Sequence, residues 1–152
     1  MSSQIQGKQI LLANYGPTVV RAAAVLPATA TGVLFNIVGG NVIITNIVGQ
    51  VVTAMSATAT NLKLNVLSTA TTGNADICAN VAVASLAVGT LIGVPTVAAG
   101  TAASAGVFAV QNNEFTVGTG SIRAITDATN TGTVKWYVNY ISLDPGAYVA
   151  AA

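Results

Sequence analysis

Four carboxylates (Asp76, Glu114, Asp127 and Asp144) and one thiol, Cys78, are the groups of this 152-residue chain that first suggest acid–base or nucleophilic chemistry, and the sequence holds no histidine to work beside them. Without imidazole the Ser-His and Cys-His arrangements are excluded, together with the commonest general base and the imidazole metal sites. Cys78 has no second cysteine or histidine with which to share a zinc ion. Its type predicts a small buried apolar residue, and a single cysteine forms no internal disulfide. A glycosidase needs two carboxylates facing each other across a few ångströms. The four here are far apart in sequence: Asp127 and Asp144 fall in predicted turns, Asp76 reads as a loop residue and Glu114 as a surface charge. No stretch of a dozen residues carries the several acids of a calcium loop.

The nearest approach to a phosphate-binding loop is Gly118-Thr119-Gly120, which lacks the following lysine and a helix to open, so a hairpin turn is the better reading. Nucleic-acid binding would call for a basic patch interleaved with aromatics. Lys135-Trp136-Tyr137 comes closest, but on a strand Trp136 and Tyr137 point to opposite faces and cannot form one stacking platform. Trp136 is expected to anchor a core instead. No catalytic, cofactor-binding or metal-binding residue is assigned, and no cofactor is expected.

The elements that must position these residues are read from composition first. Charged residues make up 6% of the chain, against about 25% in ordinary soluble domains. All nine are Lys8, Arg21, Lys63, Asp76, Glu114, Arg123, Asp127, Lys135 and Asp144. Such a surface must be largely Thr, Ser, Asn, Ala and Gly, which loses little when dehydrated against a partner. A net charge of +1 gives no field to attract nucleic acid or an anionic membrane. The strongest candidate membrane segment, Val81 to Ala99, is interrupted by Gly89, Gly93 and Pro95 and is rich in alanine, so no membrane span is expected. The opening from Met1 to Lys8 has no apolar run ahead of a small-residue cleavage site; no signal peptide is expected, and synthesis in a cytoplasm is.

Strand signals dominate. From Thr133 to Ser142, Val134, Trp136, Val138 and Tyr140 alternate with Thr133, Lys135, Tyr137 and Asn139, the period of a half-buried strand. From Asn61 to Leu67, Leu62, Leu64 and Val66 alternate with Asn61, Lys63 and Asn65 in the same way. Val33 to Val38 and Val42 to Val52 flank Gly39-Gly40-Asn41, which reads as a tight hairpin. Further strands are predicted at Thr18 to Leu26, Ala79 to Ala84, Val88 to Val94, Val107 to Val110 and Ser121 to Thr126. Turn clusters lie at Thr69 to Ala75, Ala98 to Gly106 and Asp127 to Gly132. About eight short strands with no intervening helices predict an all-β fold, an antiparallel β-sandwich or barrel in a single domain over 18–146. Residues 1–17 read as an N-terminal arm, with a first strand at Gln9 to Leu12 as the alternative. Asp144-Pro145-Gly146 stops the last strand. Residues 147–152 read as an apolar C-terminal tail, and arm and tail are both expected to make contacts outside their own sandwich.

The segment Leu34-Phe35-Asn36-Ile37-Val38-Gly39-Gly40-Asn41-Val42-Ile43-Ile44 resembles an opening hairpin of small virion proteins of tailed bacteriophages. Gly120 to Arg123, followed by Asn130 to Ala147, resembles their closing hairpin, and such chains often end in a short Ala/Val tail like the one here. The resemblance covers about half the chain and is one of pattern. It implies a jelly-roll-like capsid cement or decoration protein located in the virion, made in the host cytoplasm, with the major capsid protein or other virion subunits as partners and a homo-oligomer (dimer or trimer) as its own state. It implies no enzyme activity and carries over no catalytic residues. The alternative reading is a tail, head-fibre or receptor- or carbohydrate-binding module, which the same fold can host.

Overall fold

A computed structural model of the chain describes residues 7–69, 73–93, 104–106 and 114–152. Among these the chain forms one helix and twelve strands. In order they are α1 (Gly7–Tyr15), β1 (Thr18–Val25), β2 (Thr31–Val38), β3 (Val42–Thr53), β4 (Asn61–Ser68), β5 (Asn74–Asp76), β6 (Val81–Ala82), β7 (Leu91–Gly93), β8 (Ser104–Gly106), β9 (Phe115–Val117), β10 (Gly120–Thr126), β11 (Thr133–Ser142) and β12 (Tyr148–Ala151).

The alternation read from sequence places the core. In β11 the side chains of Val134, Trp136, Val138 and Tyr140 are buried, while Thr133, Lys135, Tyr137 and Asn139 are half-buried on the outer face. Trp136 is 1% exposed, and its ring lies over Gly49 of the paired strand β3. A Cβ on Gly49 would stand 2.9 Å from that ring, so the glycine makes room for the tryptophan. In β2 the alternation slips: Leu34, Phe35 and Ile37 are all buried, because a bulge against β10 turns two successive side chains inward.

Two antiparallel sheets face each other across this core. One has the order β1-β11-β3-β7-β8, with β9 also paired to β3; the other has the order β12-β2-β10-β4-β5, with β6 also paired to β4. The pairings are nested. β1 meets β11, β2 meets β10, β3 meets β7 and β9, and β4 meets β5 and β6. An antiparallel ribbon folded back near β4–β5 and rolled up on itself produces this order, which is the jelly-roll form of the β-sandwich. The twelve segments thus occupy eight principal positions plus short edge additions.

Four expectations change. Gly39-Gly40-Asn41 is not a hairpin turn: β2 and β3 lie in different sheets, and the glycines form a corner between them. Gly39 has φ +82°, and a Cβ there would stand 2.7 Å from the Gly146 carbonyl oxygen. The resembled closing hairpin is likewise a crossing, since β10 and β11 belong to opposite sheets. Residues 7–15 form a helix, so the alternative of a first strand at Gln9 to Leu12 does not hold. Lys, Gln, Leu and Ala favour helix there, and Gly16 closes it at φ +72° with its N–H on the Leu12 carbonyl (3.0 Å). The tail is β12, paired with β2 through Tyr148–Ala151 and burying Ala147 and Val149, so it belongs to its own sandwich.

The strand predicted at Val107 to Val110 lies outside the described residues, as do 94–99 of the candidate membrane segment. The strand predicted at Ala79 to Ala84 is limited to β6, and that predicted at Val88 to Val94 to β7. No helix among the described residues is long and apolar enough to cross a membrane.

Candidate functional site

Each carboxylate singled out from the sequence has its own place, and no two share a site. Asp127 follows β10 and accepts the main-chain N–H of Asn61 at 2.7 Å and its side-chain amide at 2.6 Å. Asp144 follows β11 and accepts the main-chain N–H of Asn41 at 2.7 Å and its amide at 2.9 Å. Each aspartate therefore latches the end of one central strand pair, β10 to β4 or β11 to β3. Asp76 pairs with Lys63 at 2.7 Å and accepts the Asn65 amide at 2.8 Å, on the outer face of the second sheet. Glu114 is exposed just ahead of β9.

The electrostatics follow from these partners. The N–H and then the amide of Asn61 hold the Asp127 carboxyl below the ordinary 3.8. Lys63, then Asn65, does the same for Asp76. Burial pushes the Cys78 thiol up, and its Sγ accepts the Leu64 N–H at 3.4 Å, as suits a small core residue. A carboxylate held in its charged form by fixed donors is a poor proton carrier near neutral pH. No group of three or more His, Cys, Asp or Glu side chains that could hold a metal ion occurs among the described residues.

The remaining candidates are also architectural. Gly118-Thr119-Gly120 joins β9 to β10 across the two sheets rather than turning a hairpin. The Thr119 carbonyl accepts both the N–H and the hydroxyl of Thr69, at 2.9 and 3.0 Å. Lys135 lies over the Tyr137 ring, 5.1 Å from its centre, on the outer face, with Trp136 on the inner one.

Sequence reading passed over the asparagines. Asn130, fully buried, accepts the N–H groups of Ser56 (2.9 Å) and Gly132 (3.1 Å) and donates to the Ser56 carbonyl (3.3 Å) and the Thr60 hydroxyl (3.4 Å). Asn65 is 2% exposed and accepts a hydrogen bond from Arg123. The partners of Asp127 and Asp144 lie 66 and 103 residues away, beyond any local spacing signal.

Several large apolar side chains are exposed. In α1 every described side chain is exposed, including Ile10 at 49%, Leu12 at 54% and Tyr15 at 55%. The helix is tied to the sandwich at its C-terminal end, where the Thr45 hydroxyl donates to the Tyr15 carbonyl at 2.8 Å and Gly16 packs against β11. Val25, Leu143 and Tyr148 are also about half exposed. Comparison with known proteins matches no family model, no curated protein and no solved structure.

Proposed function

We propose that this chain is a non-enzymatic structural subunit of a virus particle, a cement or decoration protein that binds a capsid shell and stabilises it through subunit–subunit contacts. The observation that carries the reading is α1. A helix of nine residues is too short to be stable in water on its own, and this one has no described side chain buried against its sandwich. A partner surface that covers Ile10, Leu12 and Tyr15 supplies the missing packing. Only Lys8 carries charge in the helix, so docking there strips water from almost no charged group.

The rest of the molecule is consistent with that role. A chain with 6% charged residues presents neutral surface that dehydrates at low cost. A stiff jelly roll carrying a protruding arm suits many weak, repeated contacts over a lattice, where avidity multiplies affinity. The major capsid protein, or another virion subunit, is the expected partner, with dimers or trimers of this chain as the attached unit.

Removing residues 1–15 tests the proposal. Co-sedimentation of the truncated chain with its native shell should be lost, while its thermal unfolding stays close to that of the full chain. Undiminished attachment, or outright unfolding of the truncated chain, would sink the reading.

A further inference from the structure

On the outer face of the second sheet one guanidinium has no acid of its own. Arg123 in β10 stands opposite Asn65 of β4, and Asn65 stands opposite Asp76 of β5. Arg123 Nη2 donates to the side-chain oxygen of Asn65 and, at 3.1 Å, to that of Asn74. Asn65 is 2% exposed; its amide nitrogen donates to Asp76 Oδ1 at 2.8 Å, while Lys63 holds Oδ2 at 2.7 Å. Lys63, Asp76, Asn65 and Arg123 thus form one line of contacts. The amide of Asn65 orients the guanidinium without neutralising it. Arg123 Nε is buried with no acceptor, whereas Nη1, without a partner among the described residues, is not buried.

A half-buried cation is costly unless an opposite charge meets it. The chain has four side-chain carboxylates, and all four are described. Asp76 is taken by Lys63, Asp127 by Asn61 and Asp144 by Asn41. Glu114 is left: it is exposed and makes no hydrogen bond or ion pair among the described residues. The uncommitted acid and the guanidinium that lacks one do not meet within the chain, where Lys63–Asp76 is the sole ion pair among the described residues.

The two groups share a flank of the sandwich. Glu114 leads into β9, and β9 lines one cleft together with β5, whose Asn74 and Asp76 belong to the Arg123 network. On the face that carries Arg123, Leu67 and Ile125 are its half-buried neighbours.

We infer that this flank is a self-association surface, in which Glu114 of a second copy of this chain meets the open Nη1 side of Arg123. A two-fold axis beside the flank makes the contact twice, since each copy brings both members of the pair. Leu67 and Ile125 supply apolar area around it. An ion pair enclosed in an interface discriminates between partners far more than one left in open water. The inference rests on the assembly reading for its role, as the joint between copies in the attached unit.

The test is sedimentation equilibrium of the full chain, which should show a dimer. Glu114→Arg, at an exposed position with no contact to lose, should weaken association roughly a hundredfold. Arg123→Glu should do the same, with circular dichroism to check that its fold is kept. Arg123→Gln, which only removes the charge, should weaken it about tenfold. Mixed in equal amounts, the Glu114→Arg and Arg123→Glu chains should dimerise with each other, because each then offers the charge that the other lacks. A purely structural role for either residue gives no such rescue. A chain that stays monomeric, association unchanged by Glu114→Arg, or no rescue in the mixture of folded variants overturns the inference. Shell attachment lost in Arg123→Gln while self-association is kept points to a carboxylate of the shell and overturns it too. A monomer that still attaches to its shell removes this inference alone; a dimer that responds as expected and ignores its shell removes the assembly reading and leaves the contact.

Discussion

At the two ends of the sandwich the chain crosses between sheets, and each end is latched by an aspartate that takes both the main-chain N–H and the side-chain amide of an asparagine. Asp127 with Asn61 closes the β10–β4 end, and Asp144 with Asn41 closes the β11–β3 end. The ends differ in what lies beneath the latch. Under Asp127 the connections 54–60 and 127–132 are joined by Asn130, which is buried and hydrogen-bonded to both. Under Asp144 lies the glycine corner: a Cβ on Gly40 would stand 2.6 Å from the Asp144 carboxylate. One end is thus coupled to the core through a buried amide, and the other is held at the surface by a close backbone approach. The same pair of residue types can serve a rigid closure or a superficial one, and burial of the neighbouring polar group decides which.

Midway between the ends Trp136 sets the scale. Trp136→Ala should cost about 3–5 kcal/mol, the range for removing a large buried aromatic. Urea unfolding followed by circular dichroism measures it, and a loss below about 1 kcal/mol, ordinary for a point mutant, would mean that the ring carries little of the core. Asn130→Ala comes next, at about 2–3 kcal/mol, since it leaves the part-buried N–H of Ser56 and the buried N–H of Gly132 without acceptors. Asp144→Ala, at the latch with no buried amide beneath it among the described residues, should cost about 1 kcal/mol, the net worth of ordinary hydrogen bonds. If the Asp144 and Asn130 variants lose equal stability in the same denaturant series, the contrast between the ends fails.

Acid sharpens the same contrast from the Asp127 side. Its carboxyl is lowered below 3.8 in the folded chain, so the stabilisation it contributes is complete above that value and is lost as pH falls through the lower folded one. The full chain should lose more stability between neutral pH and roughly pH 3 than Asp127→Asn does. Parallel pH profiles for the two proteins would show that the latch does not prefer the charged form.

Much of the strand pattern was legible. Val134, Trp136, Val138 and Tyr140 announce their face by alternation alone, and the predicted span Thr133 to Ser142 is the strand observed. The span predicted from Asn61 extends by a single residue, to Ser68. The candidate site was legible only in part. Asp127 and Asp144 were read as turn residues, which they are, but the asparagines that engage them sit a large part of the chain away. Gly39-Gly40 told correctly that the backbone bends sharply there and misled about where it goes, because a glycine's φ says nothing of which sheet the next strand joins. Ile10-Leu11-Leu12 lacks the spaced apolar face of a packed helix, and no described side chain of the helix it forms is buried.

By itself the sequence determined the inventory of chemistry, the scarcity of charge and the positions of the long strands, because residue type and period-two burial are local properties of the chain. The tertiary structure decided the nested pairing of β1 with β11 and β2 with β10, the burial of Asn130, the incorporation of residues 148–151 as a strand beside β2, and the cavity beside Trp136. Each of these depends on which distant segment arrives as a neighbour. That choice is made by the whole core closing at once, when two sheets bury their apolar faces against each other, and no single stretch of residues carries it.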